Sequence, residues 1–139
     1  MFILDTNVLS ELRKVSLGKA NANVTRWASG VEAKALYLSA ITIHELELGI
    51  LRLRPRNAAQ SEILRQWMDS HVLHAFDGRI IPVDTPVAQR GAALHLPQTR
   101  PWADALIAAT ALVHRMTVVT RNVGDFQTTG VVVLNPWLQ

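Results

Sequence analysis

The stretch FILDTNVLSEL, residues 2–12, opens with an apolar run that predicts a buried strand and continues directly into a helical pattern. The strand runs onto a carboxylate, Asp5, which is followed by Thr6 and Asn7. At this position the Asp5 side chain is expected to cap the following helix by accepting one of its backbone N–H groups. A strand that passes at once into a helix is typical of a parallel α/β fold, whose ligands bind beyond the carboxyl ends of the strands. Capping and ligand binding therefore both remain open for Asp5.

Length and composition favour one compact domain over residues 1–139, with 49% hydrophobic residues to form its core. The chain has no cysteine, which excludes disulfides and thiolate metal sites and fits a reducing cytoplasm. No segment approaches the roughly 20 apolar residues that span a bilayer, so neither a membrane partner nor a signal peptide is expected. The net charge of +3, with eleven arginines among 14 cations, permits nucleic-acid binding without requiring it.

Short apolar runs alternate with helical patterns along the chain. The predicted strands are Phe2–Leu4, Leu36–Leu38, Ile80–Val83, Thr117–Thr120 and Val131–Leu134. The predicted helices are Thr6–Arg13, Asn23–Ser29, Thr42–Arg54, Ala58–Phe76, Thr85–Leu96 and Pro101–His114. Continuously apolar strands indicate a sheet that is covered on both faces. The pattern predicts a three-layer α/β/α sandwich with a mostly parallel five-stranded sheet.

Three further acids occupy positions comparable to that of Asp5. Glu45 stands three residues after Thr42, a spacing that predicts a capping box at the start of a helix. Asp104 lies in the first turn of the helix that Pro101 opens, where an acid complements the helix dipole, although its neighbours are apolar. Asp125 lies in a turn after the fourth predicted strand. Local structure is thus a sufficient explanation for each acid taken singly.

Their shared position is not explained by local structure. Each acid follows a predicted strand, so in a right-handed parallel arrangement all four lie at the carboxyl edge of the sheet. Carboxylates a few ångströms apart repel one another and must hold either protons or a cation. A cluster of oxygen ligands without cysteine or paired histidine selects a hard divalent ion, Mg²⁺ or Mn²⁺. Such ions act chiefly on phosphate esters, so the pattern predicts metal-assisted chemistry on a phosphate ester.

Several segments, in the right order along the chain, resemble those of a PIN domain. They are Asp5–Asn7, Ser39–Gly49, Asp104–Ala111 and Thr120–Asn122 with Asp125-Phe126. More narrowly, the chain is similar to the VapC/FitB-type toxins of bacterial toxin–antitoxin pairs, and its ending Leu134–Trp137 resembles the FitB-like branch. The resemblance implies a PIN-like fold and a Mg²⁺- or Mn²⁺-dependent endoribonuclease. It also implies a homodimer that is silenced by a small DNA-binding antitoxin of the VapB/FitA type.

The resemblance also assigns the metal site. Asp5, Glu45 and Asp104 match the three core acids of the family. Asp5 and Asp104 are then metal ligands, and Glu45 either binds metal or positions the attacking water. Family members often carry a fourth acid directly after Thr-Arg, where this chain has Asn122, so Asp125 is expected to take its place. The choice between Asn122 and Asp125 is left open at this point.

Residues around the acids receive supporting roles by the same resemblance. Thr6, Asn7 and Asn122 are candidates for contacts to the ligands or to bound water. Arg121 and Arg100 are candidates for phosphate contacts at the rim. An exposed Trp102 would be able to stack on an unpaired base, whereas a buried one would belong to the core at the helix end.

The pattern fits three alternative classes less well: an aspartyl-phosphate phosphatase, a receiver domain and a catalytically idle binding module. An aspartyl-phosphate phosphatase requires a second acid two residues after the first, where this chain has Asn7. A receiver domain requires an adjacent acidic pair and a lysine after the last strands, whereas the last lysine here is Lys34. A catalytically idle binding module is expected to have lost a core acid, and none of the three is missing. The ribonuclease prediction is therefore preferred.

Overall fold

The computed structural model describes residues 1–139 and contains one five-stranded, fully parallel sheet in the order β3-β2-β1-β4-β5. The strands are β1 Phe2–Leu4, β2 Leu36–Ser39, β3 Ile80–Ile81, β4 Thr117–Val119 and β5 Val133–Leu134. The helices are α1 Thr6–Arg13, α2 Ala22–Ser29, α3 Ala40–Leu53, α4 Ala58–Trp67, α5 Leu73–Ala75, α6 Thr85–Ala93 and α7 Trp102–His114. A π-helical turn, Met68–Val72, joins α4 to α5.

Two apolar clusters fill the space on either side of the sheet. Because successive side chains of a strand point to opposite faces, Ile3 belongs to one cluster and Leu4 to the other. The Ile3 cluster contains residues of α6 and α7, whereas the Leu4 cluster contains residues of α1, α3 and the π-helical turn. Helices therefore cover both faces, and the predicted α/β/α sandwich is confirmed. None of the helices combines the length and the apolar character needed to cross a membrane.

The β1–α1 junction has the predicted bounds, but the β2–α3 junction does not. Helix α3 begins at Ala40, and its N-cap is Ser39, whose hydroxyl accepts the backbone N–H of Ile41 at 3.0 Å. The predicted capping box of Thr42 and Glu45 is therefore wrong. Thr42 is fully buried, and its hydroxyl has no hydrogen-bond partner in the protein. Glu45 is thus free of any capping role.

Other bounds differ by a few residues for identifiable reasons. Strand β3 ends at Ile81 instead of Val83 because Pro82 has no N–H to donate to a neighbouring strand. Helix α6 ends at Ala93 instead of Leu96, and a turn follows it before Pro97. Pro101 is the N-cap of α7 rather than its first helical residue. These changes leave the four candidate acids at the carboxyl edge of the sheet.

Candidate active site

Asp5 lies at the end of β1, the central strand, where its backbone N–H donates to the carbonyl of Val119 in β4 at 2.9 Å. Its Oδ1 accepts the backbone N–H of Thr6 at 2.8 Å, which confirms the predicted cap. Its Oδ2 accepts the Thr120 hydroxyl at 2.7 Å and the Asn7 side-chain amide at 3.2 Å. The side chain is nearly buried, and this burial raises its pKa, while the hydrogen bonds from Thr120 and Thr6 partly oppose the rise.

Thr120 and Asn7 join the β1–α1 junction to the loop that follows β4. Because the single Thr120 hydroxyl hydrogen is donated to Asp5, its oxygen accepts from the Asn7 amide at 3.3 Å and from the Asn122 backbone N–H at 3.0 Å. Asn7 Oδ1 in turn accepts the backbone N–H of Arg121 at 3.2 Å. Thr120 was missed by the sequence reasoning. The available signal was a threonine directly after an apolar run, and the strand that this run forms, β4, is the neighbour of β1.

Glu45 is connected to the same junction through Thr6. The Thr6 hydroxyl donates to Glu45 Oε1 at 2.7 Å, while the Thr6 backbone N–H binds Asp5. One residue therefore orients two carboxylates that come from α3 and β1, although they are 40 positions apart in the sequence.

Asp104 lies in the first turn of α7 and is partly buried. Burial, together with repulsion from Asp125, Asp5 and Glu45, raises the pKa of Asp104 to about 6, and only Arg100 opposes the rise. Three carboxylates from three other segments are thus close enough to disfavour a charge on the fourth. The predicted convergence of the four acids is observed.

Asp125 lies in a short 3₁₀ turn, Val123–Phe126, that follows β4. The turn is anchored by Phe126, which is almost completely buried, and by a 3.0 Å hydrogen bond from the Asp125 backbone N–H to the Asn122 carbonyl. Asp104 and Asp125 both line a cleft of about 280 Å³ whose lining contains no hydrophobic side chain. The cleft runs between the segment before α7 and the loop after β4. Its remaining lining residues are Gln98, Thr99, Arg100, Pro101, Gly124, Gln127 and Thr128.

The two arginines at the rim have partners within the protein. Arg100 donates to the carbonyls of Leu94 and Gln127 and to the Thr128 hydroxyl. The Arg121 guanidinium lies over the Trp137 ring, 5.3 Å from its centroid. Asn122 joins the hydrogen-bond network through its backbone N–H. The role of Arg100 seen in the structure is thus to hold the cleft walls together.

Trp102 is the residue for which the structure decides between two expectations. Its side chain is 74% exposed, and its nearest aromatic neighbour is His95. A place in the core at the helix end is therefore wrong.

The acidic side chains suit a hard cation, although they do not form a complete coordination site. The four acids offer carboxylate oxygens, which are the ligands that Mg²⁺ and Mn²⁺ prefer. No three acidic or histidine side chains form a complete metal site in the present rotamers.

Comparison with known proteins places these observations in context. The family model of the PIN domain matches residues 2–130. Toxin FitB of Neisseria gonorrhoeae is 39% identical over 142 residues, which cover 99% of this chain and 99% of FitB. A VapC ribonuclease of Sinorhizobium fredii is 36% identical, over 99% of this chain and 98% of the relative. The crystal structure of FitAcB from Neisseria gonorrhoeae superposes with a TM-score of 0.87 at 38% identity and full coverage of both chains.

Proposed function

Because the chain belongs to the PIN domain family, we propose that it is a metal-dependent endoribonuclease and the toxin of a toxin–antitoxin pair. The observation that supports this most directly is the cluster of Asp5, Glu45, Asp104 and Asp125 at one edge of the sheet. Burial, together with repulsion from the other three acids, raises the pKa of Asp104 to about 6. Neutralisation by a bound cation removes that repulsion, so the cluster is suited to binding one.

Asp5, Asp104 and Asp125 are proposed to hold Mg²⁺ or Mn²⁺, and Glu45 either binds the ion as well or positions the attacking water. When bound, such an ion orients a phosphate and lowers the pKa of a bound water. Asp125 is proposed to supply the fourth charge in place of the acid that relatives often carry at Asn122. In support, Asp125 has the largest effect among the three carboxylates whose repulsion raises the Asp104 pKa.

The residues around the acids fix their orientation. Thr120, Asn7 and the Thr6 backbone leave the Asp5 carboxylate little rotational freedom. Thr6 holds Oε1 of Glu45, and Oε2 is then available to accept a proton from a water that attacks the phosphorus. In that step one P–O bond forms to the water and one ester P–O bond breaks, and the leaving oxygen keeps the electron pair and takes a proton from solvent water. A pre-oriented base is effective because it needs little reorganisation during the reaction.

The partners follow from the relatives. VapC and FitB are named as toxins or ribonucleases, and the FitAcB structure matches this chain over its full length. We propose a cognate DNA-binding antitoxin of the VapB/FitA type, a homodimeric toxin, and action on RNA in the cytoplasm.

Two experiments test the proposal. The purified protein should cleave RNA with Mg²⁺ or Mn²⁺, and EDTA should abolish cleavage. Undiminished cleavage after thorough chelation would contradict the metal mechanism. Expression of the chain alone should arrest growth, co-expression of the antitoxin should restore it, and the Asp104→Asn variant should be harmless at equal protein level. Normal growth with abundant folded wild-type protein would contradict the toxin role.

A further inference from the structure

Arg100 is the one cationic residue that lines the cleft of Asp104 and Asp125. Its charge partly opposes the rise in the pKa of Asp104, but it forms no ion pair with either acid. A positive charge beside a cation site repels the cation. The charge of Arg100 therefore works against metal binding at the acids, and a favourable contribution of this residue must come from its hydrogen bonds.

The guanidinium of Arg100 joins the two walls of the cleft. Its Nε donates to the carbonyl of Leu94, the residue that ends α6, at 2.7 Å. Its Nη1 donates to the Gln127 carbonyl at 3.3 Å, and its Nη2 donates to the Thr128 hydroxyl at 3.1 Å, both in the loop after β4. Because the guanidinium is planar and rigid, its donors are fixed relative to one another. The three bonds together hold the segment before α7 against that loop.

Each end of this bridge lies close in sequence to an acid. Arg100 precedes Asp104 by four residues, and Gln127 follows Asp125 by two. The Gln127 N–H also donates to the Gly124 carbonyl at 3.3 Å, which ties it to the 3₁₀ turn that contains Asp125. The hydrogen bonds that cross from residues 94–101 to residues 124–128 all come from Arg100. The bridge therefore helps to set the separation of the two acids.

The loop end of the bridge has an unfavourable backbone conformation. Thr128 has a φ of 68°, in the left-handed region that β-branched residues rarely adopt. The buried Phe126 anchors the loop to the core, and the Thr129 hydroxyl donates to its carbonyl at 2.6 Å. The bond from Arg100 to Thr128 instead ties the loop to the wall that leads into α7. Strain of this kind persists where surrounding contacts fix it, and it is concentrated at functional sites.

We propose that Arg100 is a positioning residue of the metal site, which keeps the separation of Asp104 and Asp125 fixed and so raises their affinity for a divalent ion. Ligands that are already in place lose less conformational freedom when the ion binds. This role requires no contact between Arg100 and phosphate, so it is measurable without RNA. The inference rests on the proposed binding of Mg²⁺ or Mn²⁺ by the acids.

The test is Mn²⁺ binding without RNA, measured by electron paramagnetic resonance of the free ion. Arg100→Lys keeps the charge, but a compact ammonium cannot form the same fork of bonds to both walls, so Kd should rise about tenfold. Thr128→Val removes only the Nη2 bond and should raise Kd about threefold. The double variant should bind no more weakly than Arg100→Lys, because both changes break one bridge. An unchanged Kd for Arg100→Lys, or fully additive losses in the double variant, would overturn the proposal.

Arg79→Lys is the matched control. Like Arg100, Arg79 donates to backbone carbonyls of separate segments, but it lies just before β3, at the opposite edge of the sheet from the acids. Its acceptors are the carbonyls of Ala33, Leu36 and Ala75. Arg79→Lys should lower the Tm in EDTA and leave the Kd for Mn²⁺ unchanged. An equal rise in Kd for this control would attribute the effect at Arg100 to a general loss of stability and would refute the positioning role.

A metal-free measurement separates failure of this inference from failure of the proposed function. In EDTA, Arg100→Lys should speed the hydrogen exchange of the backbone amides of residues 123–130, and Arg79→Lys should not. Unchanged exchange in Arg100→Lys would refute the bridge itself. A wild type that binds Mn²⁺ no more tightly than Arg100→Lys would refute this inference alone, whereas a wild type that binds no Mn²⁺ would refute the metal site and this inference together.

Discussion

Replacement of Asp104 by asparagine should make the metal-free protein more stable at neutral pH, although it removes a proposed catalytic acid. The pKa of Asp104 rises from its ordinary 3.8 to about 6 because of burial and of repulsion from Asp125, Asp5 and Glu45. A raised carboxyl pKa means that the folded state binds the proton more tightly than the unfolded state does. The free energy of unfolding therefore falls as pH increases from about 4 to about 6, and it stays lowered above that range. Asparagine has a similar shape and no charge, so it escapes this loss.

The magnitude follows from the same pKa. A rise of about two units in the pKa, at about 1.4 kcal/mol per unit, lowers the free energy of unfolding by at most about 3 kcal/mol. Solvent screens the partly exposed side chain, and asparagine gives up a favourable interaction with the α7 dipole, so about 1–2 kcal/mol remains. For a chain of this size that gain corresponds to an increase of about 3–6 °C in Tm.

The assay is thermal unfolding followed by circular dichroism in EDTA, at pH 7.5 and at pH 4. Asp104→Asn should melt higher than wild type at pH 7.5, and the difference should vanish at pH 4, where wild-type Asp104 is protonated. Asp77→Asn is the control, because Asp77 is an exposed acid outside the cluster and should show no such difference. Saturating Mg²⁺ should raise the wild-type Tm more than that of the variant, because the variant has lost a ligand. A variant that melts several degrees lower than wild type in EDTA at pH 7.5 would refute the reasoning and make Asp104 a structural cap.

Two further predictions concern residues that the structure places around Asp5 and after β4. Thr120→Val keeps the shape but removes the hydroxyl bound to Asp5, so it should lower the free energy of unfolding by about 1–3 kcal/mol at pH 7 in urea titrations and reduce cleavage. Thr110→Val is the matched control: its hydroxyl binds only a carbonyl of its own helix, and an equal loss would contradict a special role for Thr120. Asp125→Asn should move the Mg²⁺ titration of cleavage to higher concentration with a recoverable maximal rate, whereas Asn122→Ala should lower the rate itself. An unmoved midpoint for Asp125→Asn, with at most about 1 kcal/mol of stability lost, would make Asp125 a turn residue only.

The local sequence pattern was sufficient to predict the bounds of a strand and a helix where a single residue can cap the helix between them. The bounds of β1 and α1 follow from an apolar run, then Asp5, then a helical pattern, and the structure has them at the predicted residues. At the second junction two hydroxyl residues, Ser39 and Thr42, compete for the same role. The choice depends on how far β2 extends, and that is decided by the pairing of Ser39 with Ile81 in β3. A tertiary contact of this kind is absent from the local pattern.

For the same reason, the position of the acids was predictable from the sequence, whereas the residues that contact them were not. A parallel topology alone brings the carboxyl ends of the strands to one edge, so the convergence of the acids was predictable. Which strands are neighbours was not, because β1 pairs with β4 across more than a hundred residues of sequence. The contact between Thr120 and Asp5 depends on that pairing, and so does the position of the Asp125 turn. The internal contacts of Arg100 were unpredictable for a related reason: two of its three acceptors are backbone carbonyls, which carry no sequence signal.

Capping and the proposed metal binding, which the sequence left as competing explanations for Asp5, are compatible in one geometry. Oδ1 caps α1 through the Thr6 N–H, and this fixes the rotamer that turns Oδ2 toward Thr120 and Asn7. Because β1 is the central strand, that rotamer lies between the end of β2, which leads to Glu45, and the end of β4, which leads to Asp125. Burial raises the pKa of Asp5, while its three hydrogen-bond donors favour the anion, and a bound cation would favour the anion further. A cap that served only the helix would need neither the burial nor the neighbouring acids, and their presence favours a site built to receive a positive ion.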